Sequence, residues 1–315
     1  MSSSAVRTFT DPDDFAAAIR GGAVDLTITG RGRFAAKIIR IDLHQLWMQR
    51  LSDNLPRIAH SERVDGRAYL AFQTQPGPGL TWNGMHLQPN VVVRTKGAGS
   101  ALHRSSGKTE LGAMSLSLED MASFGASFAG RDLTAADDVI IVKPSPAAMA
   151  TLQRLHAAAG HLAETAPEII THPEAARGLE HALIEAMVGS LTTGDTAEER
   201  AAQRRHDLIM RRFHREIEEH PDQALYIPQI CRAIGASDRT LRICCQERLG
   251  MSPKQFLLVR RMHLARRDLS RAVPTATTVT EVASRYGFWQ FGHFAGAYKA
   301  LVGELPSATL GRPPH

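Results

Sequence analysis

The last third of the chain lays out one short plan twice, and that duplication restricts the fold more than any other feature. In "IPQICRAIGASDRTLRICCQERLG", Ile227 to Gly250, the apolar residues Ile227, Ile230, Ile234, Leu241 and Leu249 recur at helical spacing around Gly235. Glycine at that point permits the positive φ of a tight turn. Ser237 follows as an N-cap, with Asp238 in the next first turn, where an acid suits the helix macrodipole. Gly287 then occupies the same place in "TTVTEVASRYGFWQFGHFAGAYKALVG". Here Thr278 and Glu281 form a capping box ahead of Val279, Val282 and Tyr286, and Phe288, Phe294 and Tyr298 supply an inward face. The aromatic run from Arg285 to Lys299 therefore reads as mostly core. Helix, glycine turn and capped helix make a helix-turn-helix unit, expected at about 227–248 and again at 279–302.

Between the units runs "SPKQFLLVRRMHLARRDL". Ser252 caps it, Pro253 takes the first helical position, and Phe256, Val259, Met262, Ala265 and Leu269 share a face. Arg260, Arg261, Arg266 and Arg267 mostly fall elsewhere. A continuous helix here holds the two units at a fixed separation. Major-groove segments on one face of DNA recur every ~34 Å, a spacing that suits a rigid pair of this kind. The charge is distributed accordingly. Residues 204–315 hold 18 Lys and Arg against 10 Asp and Glu, while residues 1–203 hold 19 against 22, so the whole excess of the +5 chain lies in its last third. A polyanion partner, double-stranded DNA, fits that excess.

At 315 residues the chain has room for two domains. The runs "AVDLTITG", "FAAKIIRIDL", "AYLAFQT", "NVVVRTKG" and "ELGAMSLSL" partly alternate and are separated by turn signals, which points to a sandwich or barrel. "SPAAMATLQRLHAAAGHLAE" and "PEAARGLEHALIEAMVGSL" are amphipathic helices that either cover the barrel's open end or form a dimer seam. The fold class expected is α+β, divided into an effector-binding and dimerisation domain at 1–192, a polar linker at 193–207 and an all-helical domain at 208–315. No stretch approaches the ~18 apolar residues of a membrane span, and the first residues have no apolar signal region. Cys231, Cys244 and Cys245 read as reduced thiols packed as small hydrophobes, which suits a cytoplasmic protein.

The C-terminal ~100 residues resemble the DNA-binding domain of the AraC/XylS family of bacterial transcription regulators. The strings that carry the likeness are "IGASDRTLRICCQERLGMSPKQFLLVRRMHLARRDL" and "VTEVASRYGFWQFGHFAGAYKALVGELPS". The second contains the family's signature as Gly287, Phe288, His293, Phe294, Tyr298, Lys299, Gly303, Pro306 and Ser307. The pattern "GFW…FA…Y…PS-TL" is also similar to ethanolamine-operon regulators within that family. The resemblance implies an N-terminal cupin-like β-barrel with dimerisation helices, a small-molecule effector in the barrel, a homodimer, and RNA polymerase as a partner of an activator. On the first recognition helix it implies that Asp238, Arg239, Arg242 and Ile243 reach DNA. Arg239 and Arg242 are suited to bidentate pairing with guanine or, alternatively, to phosphate. The second helix departs from the family in carrying Phe291, Gly292 and Gly296 where polar readers are common. Gln290, Phe291, His293 and Lys299 remain as its contacts, with Lys299 and the helix N-terminal amides expected on phosphate.

Several patterns in the first half mimic catalytic or cofactor motifs. "SSGKT" has Leu102 where a phosphate loop requires glycine, and His44, His60, His86 and His103 are isolated, so no cofactor, metal or catalytic residue is expected. "RVDGR" sets Arg63 and Arg67 four apart, with Trp82 further on; together they could hold an anionic or nucleotide effector, a cyclic dinucleotide included. The alternatives kept beside an effector-controlled regulator are an architectural DNA-binding protein without effector and a cupin-type enzyme with an appended DNA-binding domain.

Overall fold

The computed structural model describes residues 2–134, 139–193, 195–197, 201–220 and 225–312. Among them, two antiparallel sheets build the N-terminal part. The larger has eight strands in the order β1 (Ser3–Phe9), β3 (Ala36–Asp42), β4 (Trp47–Asp53), β11 (Thr109–Ser117), β6 (Arg67–Gln73), β9 (Val92–Lys96), β12 (Val139–Lys143) and β13 (Asp195–Ala197). The smaller has five, β2 (Gly22–Ile28), β5 (Arg57–Arg63), β10 (Gly99–Ser105), β7 (Leu80–Trp82) and β8 (Met85–Leu87). The expected barrel is thus an open pair of sheets, each with free edges.

Strand periodicity explains how one sheet serves two cores. In β3, Ile38 points to the smaller sheet and packs with Phe9, Leu26, Ile28, Phe34 and Phe15 of α1 (Pro12–Ala18). Its neighbours Ile39 and Ile41 point the opposite way, with Met48, Leu70, Phe72 and Met114, onto the helices. Trp82, Leu80, Val93 and Leu111 close the other end of the inter-sheet layer. The helices are α2 (Leu118–Ala129), α3 (Pro146–Thr165), α4 (Pro167–Thr171) and α5 (Pro173–Thr192). Leu152 and Ala159 of α3 and Leu183, Ile184 and Met187 of α5 are buried against the larger sheet. The two helices read from sequence therefore cover a sheet face, not an open barrel end. α2 was not foreseen; it follows β11 directly, its Ser117 cap accepting the Asp120 amide at 2.9 Å. The segment expected as linker pairs β13 with β12 and opens α6 (Ala201–Glu219), while 194 and 198–200 lie outside the described residues.

Among the described residues, seven helices make the C-terminal part: α6, α7 (Ile227–Ile234), α8 (Asp238–Leu249), α9 (Pro253–Arg271), α10 (Val279–Arg285), α11 (Phe291–Val302) and α12 (Pro306–Leu310). Two cores lie at opposite ends of α9. Phe256 joins Phe213, Ile230, Ile234, Leu241, Cys244, Cys245 and Leu249. Met262, Ala265 and Leu269 join Val282, Tyr286, Phe288, Phe294 and Tyr298. Each fully buried apolar side chain contributes roughly 1.5–3 kcal/mol, so both units are anchored to one rod. Cys244 and Cys245 are buried free thiols, and burial pushes the Cys244 thiol up to about 11. No helix among the described residues is long and apolar enough to cross a membrane.

Candidate nucleic-acid interface

Turn chemistry orients the first recognition helix. Gly235 adopts φ 68°, its amide donating to the Cys231 carbonyl, and Ser237 Oγ accepts the Thr240 amide at 3.1 Å. α8 then turns Leu241, Cys244 and Cys245 inward and leaves Asp238, Arg239, Arg242 and Ile243 exposed. All four predicted contacts therefore lie on one accessible face. Arg242 is not idle there. Its Nε donates to Asp238 Oδ1 at 3.1 Å and its Nη2 lies 2.9 Å from Asp238 Oδ2, a forked pair that raises the guanidinium pKa further.

The second unit is built in the same way. Thr278 Oγ1 accepts the Glu281 amide at 3.2 Å, while Glu281 Oε2 accepts the Thr278 amide at 2.7 Å. That reciprocal bonding holds the Glu281 carboxyl below its usual range. Gly287 takes φ 74° in the turn, and Phe288 and Phe294 pack with ring centroids 4.8 Å apart. Gln290, Phe291, His293 and Lys299 are exposed on or at the start of α11. Trp289, 75% exposed, stands beside them. Sequence reasoning gave it no role, although it falls outside the inward pattern of Phe288, Phe294 and Tyr298.

The arginines of α9 face a partner that was not foreseen: the N-terminal domain. The Arg266 side chain, only 9% exposed, is paired with Asp11 at 2.6 Å and also with Asp13. Arg267 reaches Asp13 at 2.7 Å, and Arg260 reaches Asp25 at 3.2 Å. Burial opposes the charge on Arg266 and Arg267, yet the aspartates outweigh it and raise both pKa values. Arg261 instead donates to the Tyr286 carbonyl at 3.4 Å, over the Phe288 ring. The His263 ring lies 2.7 Å from the Ile28 carbonyl. At the other end of the seam, His60 of β5 stacks on His214 of α6 at 4.6 Å and meets Glu218 at 3.1 Å. Ile58 and Leu102 of the smaller sheet complete the first unit's core. Part of the basic excess is thus neutralised within the chain, which weakens charge alone as an argument for a polyanion.

The predicted effector residues fall on both sheets, Arg63 and Trp82 on the smaller and Arg67 on the larger. Arg67, on the larger sheet, lies 3.5 Å over the Trp47 ring and donates to Ser115 Oγ at 2.8 Å. Trp82, on the smaller sheet, is buried with its ring 3.9 Å from His103, whose pKa desolvation lowers to about 3. Arg63 ends β5, its strand position opposite both Gly22 and Gly99.

Residues 230–312 match a family described as "Helix-turn-helix domain". Over 94 residues the chain is 44% identical to the probable thc operon regulatory protein of Rhodococcus erythropolis, covering 30% of this chain and 28% of that protein. It is 33% identical over 94 residues to XylDLEGF operon transcriptional activator 2 of Pseudomonas putida, covering 30% of this chain and 60% of that one. The matched region thus spans less than two thirds of either relative. Among solved structures, the AraC-like transcriptional activator CuxR aligns with 96% of this chain and 100% of its own at 14% identity and a TM-score of 0.42. ToxT from Vibrio cholerae aligns with 98% of this chain and 96% of its own at 12% identity and a TM-score of 0.30. Residues 230–312 thus form a helix-turn-helix domain, similar in sequence to those of operon regulators.

Proposed function

We propose that the chain is a sequence-specific DNA-binding transcription regulator, an activator whose N-terminal domain responds to a small molecule. The observation that carries this reading is the pairing of two recognition helices, each with its inward face fully used in a core and its outward face exposed, at opposite ends of one helix. α9, at 1.5 Å per residue, is about 28 Å long, close to the ~34 Å between successive major-groove segments. In this reading Arg239 and Arg242 contact base edges and Ile243 meets a thymine methyl, with Asp238 releasing Arg242 as DNA binds. On α11, Lys299 and the amides behind Gln290 hold phosphate, while Phe291 and His293 face the groove.

The aspartate–arginine seam gives the N-terminal domain a means of control. It fixes α9 through charges that a conformational change in the sheets can engage or release. A homodimer and RNA polymerase are the partners this reading assigns. Selection of bound duplexes from a random library tests it. The expected product is a site with two short conserved segments about one helical turn, ~10 base pairs, apart. Recovery of no preferred sequence from the intact chain refutes the reading.

A further inference from the structure

The larger sheet's helix-covered face ends in a charged cleft of about 450 Å³, within the usual range for small-molecule sites. Its floor is set by strand register. Lys37, Ser52 and Glu110 lie in one row across β3, β4 and β11, and Ile39, Arg50 and Gly112 in the next. α3 supplies the facing wall through Ala157, Gly160, His161 and Glu164, a stripe at helical spacing. Gly160 is where helix and sheet come closest: a Cβ there would stand 3.3 Å from Arg50 Cδ and 3.7 Å from Ile39 Cδ1.

The charges in the cleft do not balance. Lys37 is paired with Glu164, and Lys108 with Glu110 at 2.9 Å. Arg50 is left with a long 3.7 Å approach to that same Glu110, and its buried Nη1 has no hydrogen-bond acceptor among the described residues. A buried donor without an acceptor is costly, and a guanidinium that can leave Glu110 to Lys108 is free to take another anion. Ile39, Ala157 and Gly160 offer an apolar surface beside it. We propose that this cleft binds a small organic acid carrying a single negative charge, with the anionic group on Arg50 and the carbon body against Ile39 and Ala157.

As the effector site of a regulator the proposal rests on the preceding reading; as a binding site it stands alone. Calorimetry and thermal unfolding of the full chain with butyrate, hexanoate, hexanamide and inorganic phosphate test it. Hexanoate is expected to bind more tightly than butyrate, and the uncharged amide and phosphate to bind weakly or not at all. Arg50→Gln should weaken hexanoate about ten- to a hundredfold, the effect of losing one charged hydrogen-bond partner. Ala157→Leu, at an exposed position of the helical wall, narrows the cleft without touching the charge and should also weaken it, so the test survives should Arg50→Gln not fold. Absence of carboxylate binding at millimolar concentration, equal binding of phosphate, or affinity unchanged in Ala157→Leu and in any folded Arg50→Gln overturns the proposal. Carboxylate binding by a chain that selects no DNA sequence keeps the cleft and refutes the regulator. Sequence selection without carboxylate binding refutes the cleft alone.

Discussion

Arg242 illustrates how a residue read correctly as exposed still had a neighbour that changes its meaning. Its fork is already closed on Asp238, so reading guanine requires exchanging one bidentate partner for another. Arg242→Ala is expected to relax base choice, with a loss of ~1–3 kcal/mol in discrimination between matched and mismatched duplexes. Lys299→Ala should instead lower affinity for all sequences and reduce the salt slope by about 1. Competition binding at several salt concentrations separates the two; equal loss of discrimination from both would overturn the division of labour between α8 and α11. The inward residues of these helices were legible from spacing alone, because period 3.6 fixes a face. The partners of Arg260, Arg266 and Arg267 were not, since Asp25, Asp11 and Asp13 lie more than two hundred residues earlier in the chain.

Helix boundaries in the last third followed closely from local chemistry. Ser237, Ser252 and Thr278 each cap the helix that the sequence assigns to them. Gly235 and Gly287 turn with positive φ, and replacing Gly235 by Ala forces a side chain into the left-handed region. Gly235→Ala should cost about 1–2 kcal/mol in chemical denaturation, with a smaller cost to DNA affinity if α8 keeps its orientation. In the first half, by contrast, β4, β5 and α1 escaped notice. β5 reads "RIAHSER" and is buried at its first four residues, polar His60 included, because the C-terminal domain lies on it. A strand whose polar face is covered by a distant domain gives no clean alternation. Between these elements, Asp11→Asn with Asp13→Asn removes both acids from the nearly buried Arg266. Loss of a partner from a fully buried pair costs ~3–5 kcal/mol, and somewhat less is expected here because Asp11 and Asp13 keep 24% and 20% exposure. Small-angle scattering should register a more extended chain, and an unchanged profile would show that the seam does not hold the domains.

Two domains were foreseen from chain length and the change from strand-like to helical patterning; their docking was not, because periodicity carries no information on contacts between separate cores. That docking predicts a response to acid. His214 is held neutral well below its ordinary 6.5, first by burial and then by His60 and Arg260, and burial lowers His263 to about 4. Released from the seam, both would gain protons below about pH 6.5, so docking is intact above that pH and weakens as it falls, by up to about 1.4 kcal/mol per pH unit for each histidine. Glu218 adds a second loss lower down. Its carboxyl, lowered by the His60 hydrogen bond, helps above about 4.5 and ceases to help as it protonates. Interdomain distance followed by fluorescence energy transfer between pH 8 and 5 should lengthen below ~6.5, and a flat profile with His214→Gln behaving like the parent would refute the histidine contribution.

α9 carries the docking arginines and also both recognition units. Whatever frees it from the sheets must therefore move the two reading heads as one piece, without changing the distance between them. Control would then alter when and how firmly a site is engaged, while the length of the word being read stays constant.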